Sequence, residues 1–244
     1  MSDQTIQLMH GDSRVLLPLI PDGSIDLIVT DPPYPTVSGG TNDSAGPQKK
    51  GRISKYSVIA KNDGRIFQHN DIKPSEYLPE FYRVLKEDAD LYVMVNVLNL
   101  REFLDASHAA GFRLHNLLVW DKGTGTPNRW YMKNLEMTLY LYKGKARTIN
   151  LPGSKQSFTC PNPKGKKHPC EKPVYLMNQY VLNSSQAGET VLDPFMGSGT
   201  VGESCWLNRR RFIGMEQDPA YFAVSQQRMS NMTGSFPGIF AGNE

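Results

Sequence analysis

The stretch IDLIVTDPPY, residues 25–34, begins as a short run of large apolar residues and ends on a carboxylate, two prolines and a tyrosine. An apolar run of this length is typical of a strand that is buried on both faces. Pro32 and Pro33 fix their own φ angles and remove two backbone donors, so they force the chain out of the sheet in a stiff turn. The stretch therefore predicts a buried strand with a rigid polar group, Asp31 to Tyr34, at its carboxyl end.

Similar apolar runs recur along the chain and alternate with segments of helical spacing. This alternation is typical of a parallel sheet covered by helices on both faces, so we predict an α/β fold. A chain of 244 residues fits one large core better than two full domains, and we expect a single domain over residues 1–244. The predicted strands lie near residues 6–9, 25–30, 91–97, 115–120, 137–142, 190–192 and 211–215, and the predicted helices near residues 74–87, 98–111, 172–188, 200–210 and 219–229.

Two segments rich in Gly, Pro and polar residues interrupt this alternation, namely residues 35–73 and residues 121–167. We predict that both are inserted surface loops, because long loops in a compact domain are commonly functional. Their lysines and arginines suit contacts with phosphates, although solvated loops give the same pattern. The net charge of +3 is too small to identify a partner by itself.

Other features of the composition exclude some classes of protein. The apolar runs are shorter than the roughly 18 to 20 residues that a membrane span needs, and the first residues lack the regions of a secretory signal. We therefore expect no membrane contact and a cytoplasmic location. Cys160, Cys170 and Cys205 have no C-x-x-C spacing, and His168 has no suitably spaced partner, so we expect neither disulfides nor a metal site.

The turn at Asp31 offers a particular set of groups to a ligand. In an open parallel sheet, ligands bind beyond the carboxyl ends of the strands, which is where this turn belongs. The Asp31 carboxylate and the prolyl carbonyls accept hydrogen bonds, and Tyr34 offers an aromatic face. A flat ligand with an NH₂ group, such as a nucleobase with an exocyclic amine, fits this set. The other interpretation, Asp31 as a helix cap with Tyr34 in the core, is weaker because no helical pattern follows.

A second motif lies in TVLDPFMGSGTVGESC, residues 190–205, where a strand leads into glycines and then a helix. Glycines at this point allow a ligand to approach the backbone at a helix N-terminus. Gly197, Gly199 and Gly202 also satisfy the pattern G-x-G-x-x-G, and Glu216 follows at the distance of a ribose-binding acid. An oxidoreductase that binds NAD is therefore an alternative function.

Two observations count against the NAD alternative. Four residues beginning with Asp193 separate the strand from the glycines, whereas the dinucleotide fingerprint follows its strand almost at once. The motif also lies near the end of the chain, which leaves little room for a second nucleotide-binding half. A ligand with a ribose but no pyrophosphate suits this arrangement better, and S-adenosylmethionine is such a ligand.

Together, these motifs resemble those of the DNA amino-methyltransferases, which use S-adenosylmethionine to make N6-methyladenine or N4-methylcytosine. The resemblance spans most of the chain, and the order of its motifs, catalytic before cofactor, is similar to that of the permuted beta group. It implies a seven-stranded, Rossmann-like sheet that is mostly parallel. The positions that carry it are Gly11-Asp12, Asp31-Pro32-Pro33-Tyr34, His168-Pro169-x-x-Lys172-Pro173 and Asp193 to Thr200.

The resemblance also implies a role for each matching residue. Asp31 and the carbonyl of Pro32 would accept hydrogen bonds from the target amine, Pro33 would complete the turn, and Tyr34 would stack on a base flipped out of the duplex. Aspartate at the first position is commoner in the adenine enzymes, which favours N6 of adenine over N4 of cytosine. The implied cofactor positions are Asp12, Lys172, Asp193, Phe195, Gly197, Ser198, Gly199, Thr200 and Glu216.

Double-stranded DNA is the partner that the resemblance implies, and a homodimer is compatible with it. RNA and protein glutamine are less favoured substrates because their enzymes more often carry Asn at the first position of the motif. The sequence identifies no cognate restriction enzyme. Glu136 stands where family members often have His-Glu, but the match is too weak to imply a role for it. The candidate DNA contacts are Lys49, Lys50, Arg52, Arg129, Trp130, Lys166 and Lys167.

Overall fold

The structure is a computed structural model and describes residues 5–33, 72–126, 131–163, 171–233 and 238–241. Outside residues 33–73, the described residues belong to one compact unit. Of the second unit, residues 33–73, only residues 33, 72 and 73 are described. Several predicted site residues lie outside the described residues: Tyr34, Lys49, Lys50, Arg52, Arg129, Trp130, Lys166, Lys167 and His168.

The described residues form nine strands and six α-helices. The strands are β1 (Ile6–His10), β2 (Ile25–Thr30), β3 (Leu85–Val95), β4 (Arg113–Thr126), β5 (Lys133–Tyr142), β6 (Ser157–Thr159), β7 (Thr190–Asp193), β8 (Arg211–Glu216) and β9 (Gly238–Ala241). The helices are α1 (Ser13–Leu16), α2 (Pro74–Val84), α3 (Leu100–Ala109), α4 (Val174–Ser184), α5 (Thr200–Leu207) and α6 (Pro219–Thr233), with a 3₁₀ turn at Leu17–Leu19. No helix among these residues has the length and hydropathy needed to cross a membrane.

The nine strands form one sheet in the order β6-β4-β5-β3-β2-β7-β8-β1-β9. Every pairing is parallel except those of β5, which runs antiparallel to both β3 and β4. The predicted α/β class is confirmed, and all seven predicted strands are present. The predicted number of seven is too small, because the short edge strands β6 and β9 lie in Gly- and Pro-rich sequence that shows no alternation.

Strand β2 lies at the centre of the sheet, and all six of its residues are buried. Its one carboxylate, Asp26, is neutralised by Lys86 on β3 at 2.5 Å and accepts a hydrogen bond from the backbone N–H of Thr190 at 2.9 Å. A buried charge is tolerated when it is paired and hydrogen-bonded in this way. These contacts join β2 to both of its neighbours and fix the point at which the chain leaves the sheet after Thr30.

Two segment boundaries differ from the prediction. Helix α2 ends at Val84, and the predicted helical residues that follow belong to β3, where Leu85 pairs with Ile25 of β2. Strand β4 continues to Thr126 and pairs with β5, so residues 121–167 contain strands as well as loops. In both places hydrogen bonding to a neighbouring strand outweighs local propensity, which a single segment of sequence does not reveal.

Close packing fixes the helix that follows the glycine motif. Gly202 lies inside α5, and a Cβ atom there would lie 2.8 Å from Cε1 of Phe212 on β8. Since real Cβ atoms do not approach carbon so closely, only glycine lets α5 lie against the sheet at this point. The third glycine of G-x-G-x-x-G therefore has a packing role, and it sets where the first turn of α5 begins.

Candidate active site

The polar residues singled out by the sequence converge at one edge of the sheet. Strands β2, β7, β8 and β1 are neighbours and run parallel, so their carboxyl ends meet at this edge. Asp31 follows β2, Asp193 ends β7, and Glu216 ends β8. Residues far apart in the chain thus become neighbours, as Thr30 and Asp193 show with a hydrogen bond of 2.7 Å.

The two carboxylate oxygens of Asp31 have different surroundings. Its Oδ2 lies 2.7 Å from Nζ of Lys172, which immediately precedes Pro173, the N-cap of α4. Its Oδ1 is buried and has no hydrogen-bond partner in the part of the chain that the structure describes. Burial raises the pKa of Asp31, and the ammonium of Lys172 opposes that rise. Asp31 therefore presents an acceptor that is shielded from water, at a cost that an incoming N–H donor would relieve.

Lys172 is shared between two carboxylates. Its Nζ lies 3.1 Å from Oε2 of Glu136 on β5, and Oε1 of Glu136 lies 2.6 Å from Nζ of Lys122 on β4. Burial acts to raise the pKa of Glu136, but the two ammonium groups outweigh it and the pKa is lowered. Asp31, Lys172, Glu136 and Lys122 thus form a row of alternating charges, which we call the charge row.

The pairing of β4 and β5 explains why Lys122 and Glu136 meet. Glu136 lies opposite Trp120 in the antiparallel ladder. Side chains two positions apart on a strand share a face, so Lys122 lies on the face of Trp120 and diagonally across from Glu136. The Lys122 ammonium also lies 5.5 Å from the centre of the Trp120 ring, which favours a cation.

Asp193 is a buried carboxylate held by two donors. Its Oδ1 accepts hydrogen bonds from the Thr30 hydroxyl at 2.7 Å and from the backbone N–H of Phe195 at 3.1 Å. Burial raises the pKa of Asp193 to about 7, and the nearby carboxylates of Asp31 and Glu216 contribute to the rise. A group with this pKa gains a proton near neutral pH unless a positive charge lies close to it.

The Glu216 carboxylate is hydrogen-bonded to the loop that carries the glycines. Its Oε2 accepts a hydrogen bond from the backbone N–H of Gly197 at 3.0 Å, and its Oε1 accepts one from the backbone N–H of Asp218 at 2.7 Å. Burial raises the pKa of Glu216, and these two backbone donors oppose the rise. The carboxylate therefore holds the glycine loop and the start of the segment before α6 in one position.

Two glycines of the loop have left-handed backbone angles. Gly197 has φ +51° and Gly199 has φ +81°, and a Cβ atom on Gly199 would lie 3.2 Å from Cβ of Ser225. Glycine supplies both the angle and the space. Between them Ser198 is buried, and the Thr200 hydroxyl accepts a hydrogen bond from Arg228 at 3.0 Å. The loop is thus a fixed, largely bare backbone at the start of α5.

The residue just before Lys172 is tied to this glycine loop. Glu171 forms a buried ion pair with Arg228 of α6, and the same guanidinium lies 3.1 Å from Glu203 and donates to Thr200. Two consecutive residues therefore face different parts of the site, since Glu171 is bound to the start of α5 through Arg228 and Lys172 is bound to Asp31.

A family model for DNA methylases, the N6 and N4 methyltransferases, matches residues 25–227. The chain belongs to this DNA methylase family. It is 29% identical over 250 residues to the Type II methyltransferase M2.DpnII of Streptococcus pneumoniae, covering 91% of this chain and 88% of that protein. It is 25% identical over 255 residues to the Type II methyltransferase M2.MboI of Moraxella bovis, covering 95% of this chain and 90% of that protein.

Solved structures of other methylases have the same fold. A DNA modification methylase of Thermus thermophilus, TTHA0409, in complex with S-adenosyl-L-methionine, superposes with a TM-score of 0.73 at 22% identity over 98% of this chain and all of that one. The M1.HpyAVI–SAM complex gives 0.68 at 23% identity over 92% of this chain and all of that one. These matches show the fold alone; the family model confirms the predicted class, a SAM-dependent DNA methyltransferase, and so replaces the NAD-dependent oxidoreductase alternative.

The methylase site fits the methyl donor of its family. Gly197 and Gly199 have left-handed backbone angles and no side chains, so a ligand can approach the backbone of the glycine loop closely at the start of α5. Asp31, Asp193 and Glu216 gather carboxylates at the same edge. An adenosine bearing a positively charged sulfur and an amino group matches a site of this shape and charge.

Three other residues that we predict to bind the cofactor make contacts within the protein. Asp12 caps α1 and is bound by Arg14, with Nη2 at 2.6 Å from Oδ2, so its carboxylate is engaged within its own turn. Lys172, which we predict in the cofactor pocket, contacts Asp31. The Phe195 ring packs edge-on against Tyr77 at 5.1 Å between ring centres, which anchors the loop to α2.

Sequence reasoning missed the functional geometry of Glu136 and overlooked Lys122. The available signal was that both lie on the inward face of their strands and carry opposite charges. The register that brings them together, and the arrival of Lys172 from another part of the chain, are not encoded in any local pattern.

Proposed function

We propose that this protein transfers the methyl group of S-adenosylmethionine to the N6 amine of an adenine in double-stranded DNA. The observation that carries the proposal is Oδ1 of Asp31, a buried acceptor with no partner among the described residues, at the edge where the family motifs converge. Its relatives, named Type II methyltransferases, support a role in DNA modification.

The acceptors at Asp31 and Pro32 suit the chemistry of an aromatic amine. The nitrogen lone pair is normally delocalised into the ring, which makes the amine a weak nucleophile. Two acceptors that bind its hydrogens favour a more tetrahedral nitrogen and orient its lone pair, so positioning lowers the barrier. As the nitrogen forms its bond to the methyl carbon, the bond from that carbon to sulfur would break and a neutral thioether would leave. The nitrogen becomes positive, the Asp31 carboxylate stabilises that charge, and the nitrogen then loses a proton to water.

The bound cofactor supplies a methyl group on a positively charged sulfur. We propose that Asp193, Glu216 and the loop from Phe195 to Thr200 bind it, and that Asp12 contributes at the adenine edge. The sulfonium would compensate the negative charge of the carboxylates, and the backbone of Gly197 to Gly199 would allow close approach. Because the target amine is paired inside a duplex, the base must be flipped out to reach Asp31.

Cytosine N4 is the second candidate target. The PvuII DNA methyltransferase, which is cytosine-N4-specific, has the same fold, with a TM-score of 0.67 at 19% identity over 91% of this chain and 86% of that one. Adenine is favoured because Asp31 occupies the first position of D-P-P-Y, where the adenine enzymes more often carry aspartate. Both bases present an NH₂ group, so the same acceptors serve either reaction.

Identifying the methylated nucleoside tests the proposal. The protein is incubated with duplex DNA and methyl-labelled S-adenosylmethionine, and the DNA is digested to nucleosides and analysed by mass spectrometry. Labelled N6-methyldeoxyadenosine is expected. N4-methyldeoxycytidine would retain the mechanism and overturn the target base, and label found only on RNA or protein would overturn the substrate.

We propose that DNA is contacted by the two basic segments, residues 35–73 and 121–167, through Lys49, Lys50, Arg52, Lys166 and Lys167 as well as Arg129 and Trp130. The described residues that follow Trp130 support this assignment, since Tyr131 is 97% and Met132 57% exposed. Basic and aromatic residues together suit phosphates and bases. A homodimer stays a prediction.

Replacing Arg129 and Trp130 by Ala should weaken duplex binding by about tenfold or more, because one phosphate or base contact is worth about 1–3 kcal/mol. Fluorescence anisotropy with a labelled duplex measures this, and calorimetry should show unchanged cofactor affinity. Arg101→Ala is the matched control, since Arg101 is an exposed residue of α3. Unchanged duplex binding and methylation in the double variant would remove these residues from the interface.

A further inference from the structure

Two residues of the charge row, Glu136 and Lys122, have no role in the reaction proposed above. Both are partly buried, with side chains 29% and 19% exposed, and both lie on strands rather than loops. Their contacts of 2.6 and 3.1 Å continue the row that starts at Asp31. Removing two charges from water costs free energy. An ion pair in this position that had no function would therefore lower the stability of the fold.

The charge of Lys172 creates a difficulty for a catalytic Asp31. Lys172 orients the carboxylate through Oδ2, but its positive charge also opposes the positive charge that develops on the amine. Asp31 and Lys172 alone would form a neutral pair beside the reacting nitrogen. A second carboxylate on Lys172 reduces this difficulty, because Glu136 offsets part of the charge of Lys172. Lys122 opposes this effect, but it acts on Asp31 more weakly than Glu136 does.

We propose that Glu136, held in place by Lys122, is a positioning residue that offsets the charge of Lys172 and so leaves a negative charge on Asp31 for the target amine. The inference rests on the proposed function, since it concerns the same site. Lys122 binds the oxygen of Glu136 that Lys172 does not use, which fixes the carboxylate between two ammonium groups. In this proposal Glu136 acts through Lys172, and Lys122 acts through Glu136.

The proposal predicts how the pKa of Asp31 changes when Glu136 or Lys122 is replaced. The charged groups that face Asp31 are Lys172 before α4, Glu136 on β5 and Lys122 on β4, while Asp193 at the end of β7 interacts with it electrostatically. Burial and Lys172 have the largest effects on the pKa of Asp31. Of the smaller effects, Glu136 raises this pKa and Lys122 lowers it. Removing the charge of Glu136 should therefore lower this pKa, and removing the charge of Lys122 should raise it.

Carbon NMR of the protein without DNA or cofactor measures this directly. The carboxyl resonance of Asp31, assigned with Asp31→Asn, is titrated in the wild type, in Glu136→Gln and in Lys122→Met. Shifts of the Asp31 midpoint in opposite directions are expected. Equal midpoints in all three proteins would overturn the proposal, and this result does not depend on what the substrate is.

Single-turnover methylation across pH then tests the role in catalysis. Glu136→Gln should lower the plateau rate at least about tenfold and move the acid limb to lower pH. Lys122→Met should move the acid limb to higher pH. Lys122→Arg, which keeps the positive charge, should have its acid limb at the same pH as the wild type. Glu102→Gln, a change on the exposed face of α3, is the control.

The outcomes separate the inference from the proposed function. A wild type that methylates DNA, with variants that lose rate equally at all pH values and keep the acid limb, would reduce Glu136 and Lys122 to structural residues and overturn the inference. A wild type that methylates no DNA while the NMR midpoints shift as expected would overturn the proposed function and leave the charge row intact.

Discussion

Asp31→Asn should lower the rate of methyl transfer by about 10³-fold or more while the protein keeps its fold. Asparagine has nearly the same size as aspartate, but it removes the negative charge from the side of the amine and one of the two carboxylates that contact Lys172. The stability should not fall, because burial raises the pKa of Asp31 and a neutral side chain avoids the cost of a buried charge. Single-turnover methylation with labelled cofactor measures the rate.

Two further measurements separate a loss of rate in the chemical step from a loss of cofactor binding or of folding. Calorimetry should give a cofactor affinity that changes far less than the rate, and the thermal unfolding midpoint should stay at or above that of the wild type. Arg101→Ala serves again as the control. If Asp31→Asn retained more than about a tenth of the wild-type rate, Asp31 would not be the principal acceptor.

Asp193→Asn should weaken cofactor binding about 30-fold or more and, without cofactor, make the protein more stable at pH 8. The pKa of Asp193 is raised from 3.8 to about 7, mainly by burial. Because the folded protein binds this proton more tightly than the unfolded chain, the stability that the proton provides is complete below about pH 4 and is lost as the pH rises through about 7. Asparagine is neutral throughout and avoids that loss.

Urea unfolding at pH 4.5 and pH 8 measures the gain. The variant and the wild type should be similar at pH 4.5, and the variant should be more stable at pH 8 by on the order of 1–3 kcal/mol. Asp26→Asn is the matched contrast, because Asp26 is also buried but is paired with Lys86, so its replacement should destabilise the protein. A destabilised Asp193→Asn at pH 8 would contradict the inference that the ionised Asp193 carboxylate destabilises the protein without cofactor.

Binding of the cofactor should also depend on pH for the same reason. A cationic ligand favours ionised Asp193, so its affinity should rise as the pH increases through about 7. S-adenosylhomocysteine has the same amino group but no charge on its sulfur, and comparing the two ligands isolates the contribution of the sulfonium.

The sequence predicted those parts of the site that depend on short stretches of chain. The apolar run at residues 25–30 and the prolines after it placed Asp31 at the end of a buried strand, and the pattern from Asp193 to Thr200 placed a glycine loop before a helix. Each signal is local because a strand end, a proline turn or a left-handed glycine is decided within a few residues.

The contacts among distant residues could not be predicted in this way. Lys172 meets Asp31 from a remote part of the chain, and Lys122 meets Glu136 only because of the register of two antiparallel strands. Strand β4 also continues past its predicted end to Thr126, where it pairs with Lys133 after a register shift. Pairing register depends on the whole set of side chains on a face, which no single motif contains.

The antiparallel course of β5 has a consequence for how such an enzyme diversifies. Trp120 and Glu136 face each other in the regular part of the ladder, from Asn116 to Asp121 on β4, whereas residues 127–132 join the two strands beyond a register shift. Changes of length or composition in that connection leave the ladder at Glu136 in register. Natural selection can therefore alter the segment proposed to read DNA while the groups around Asp31 stay in place, so that target sequence and chemistry evolve separately.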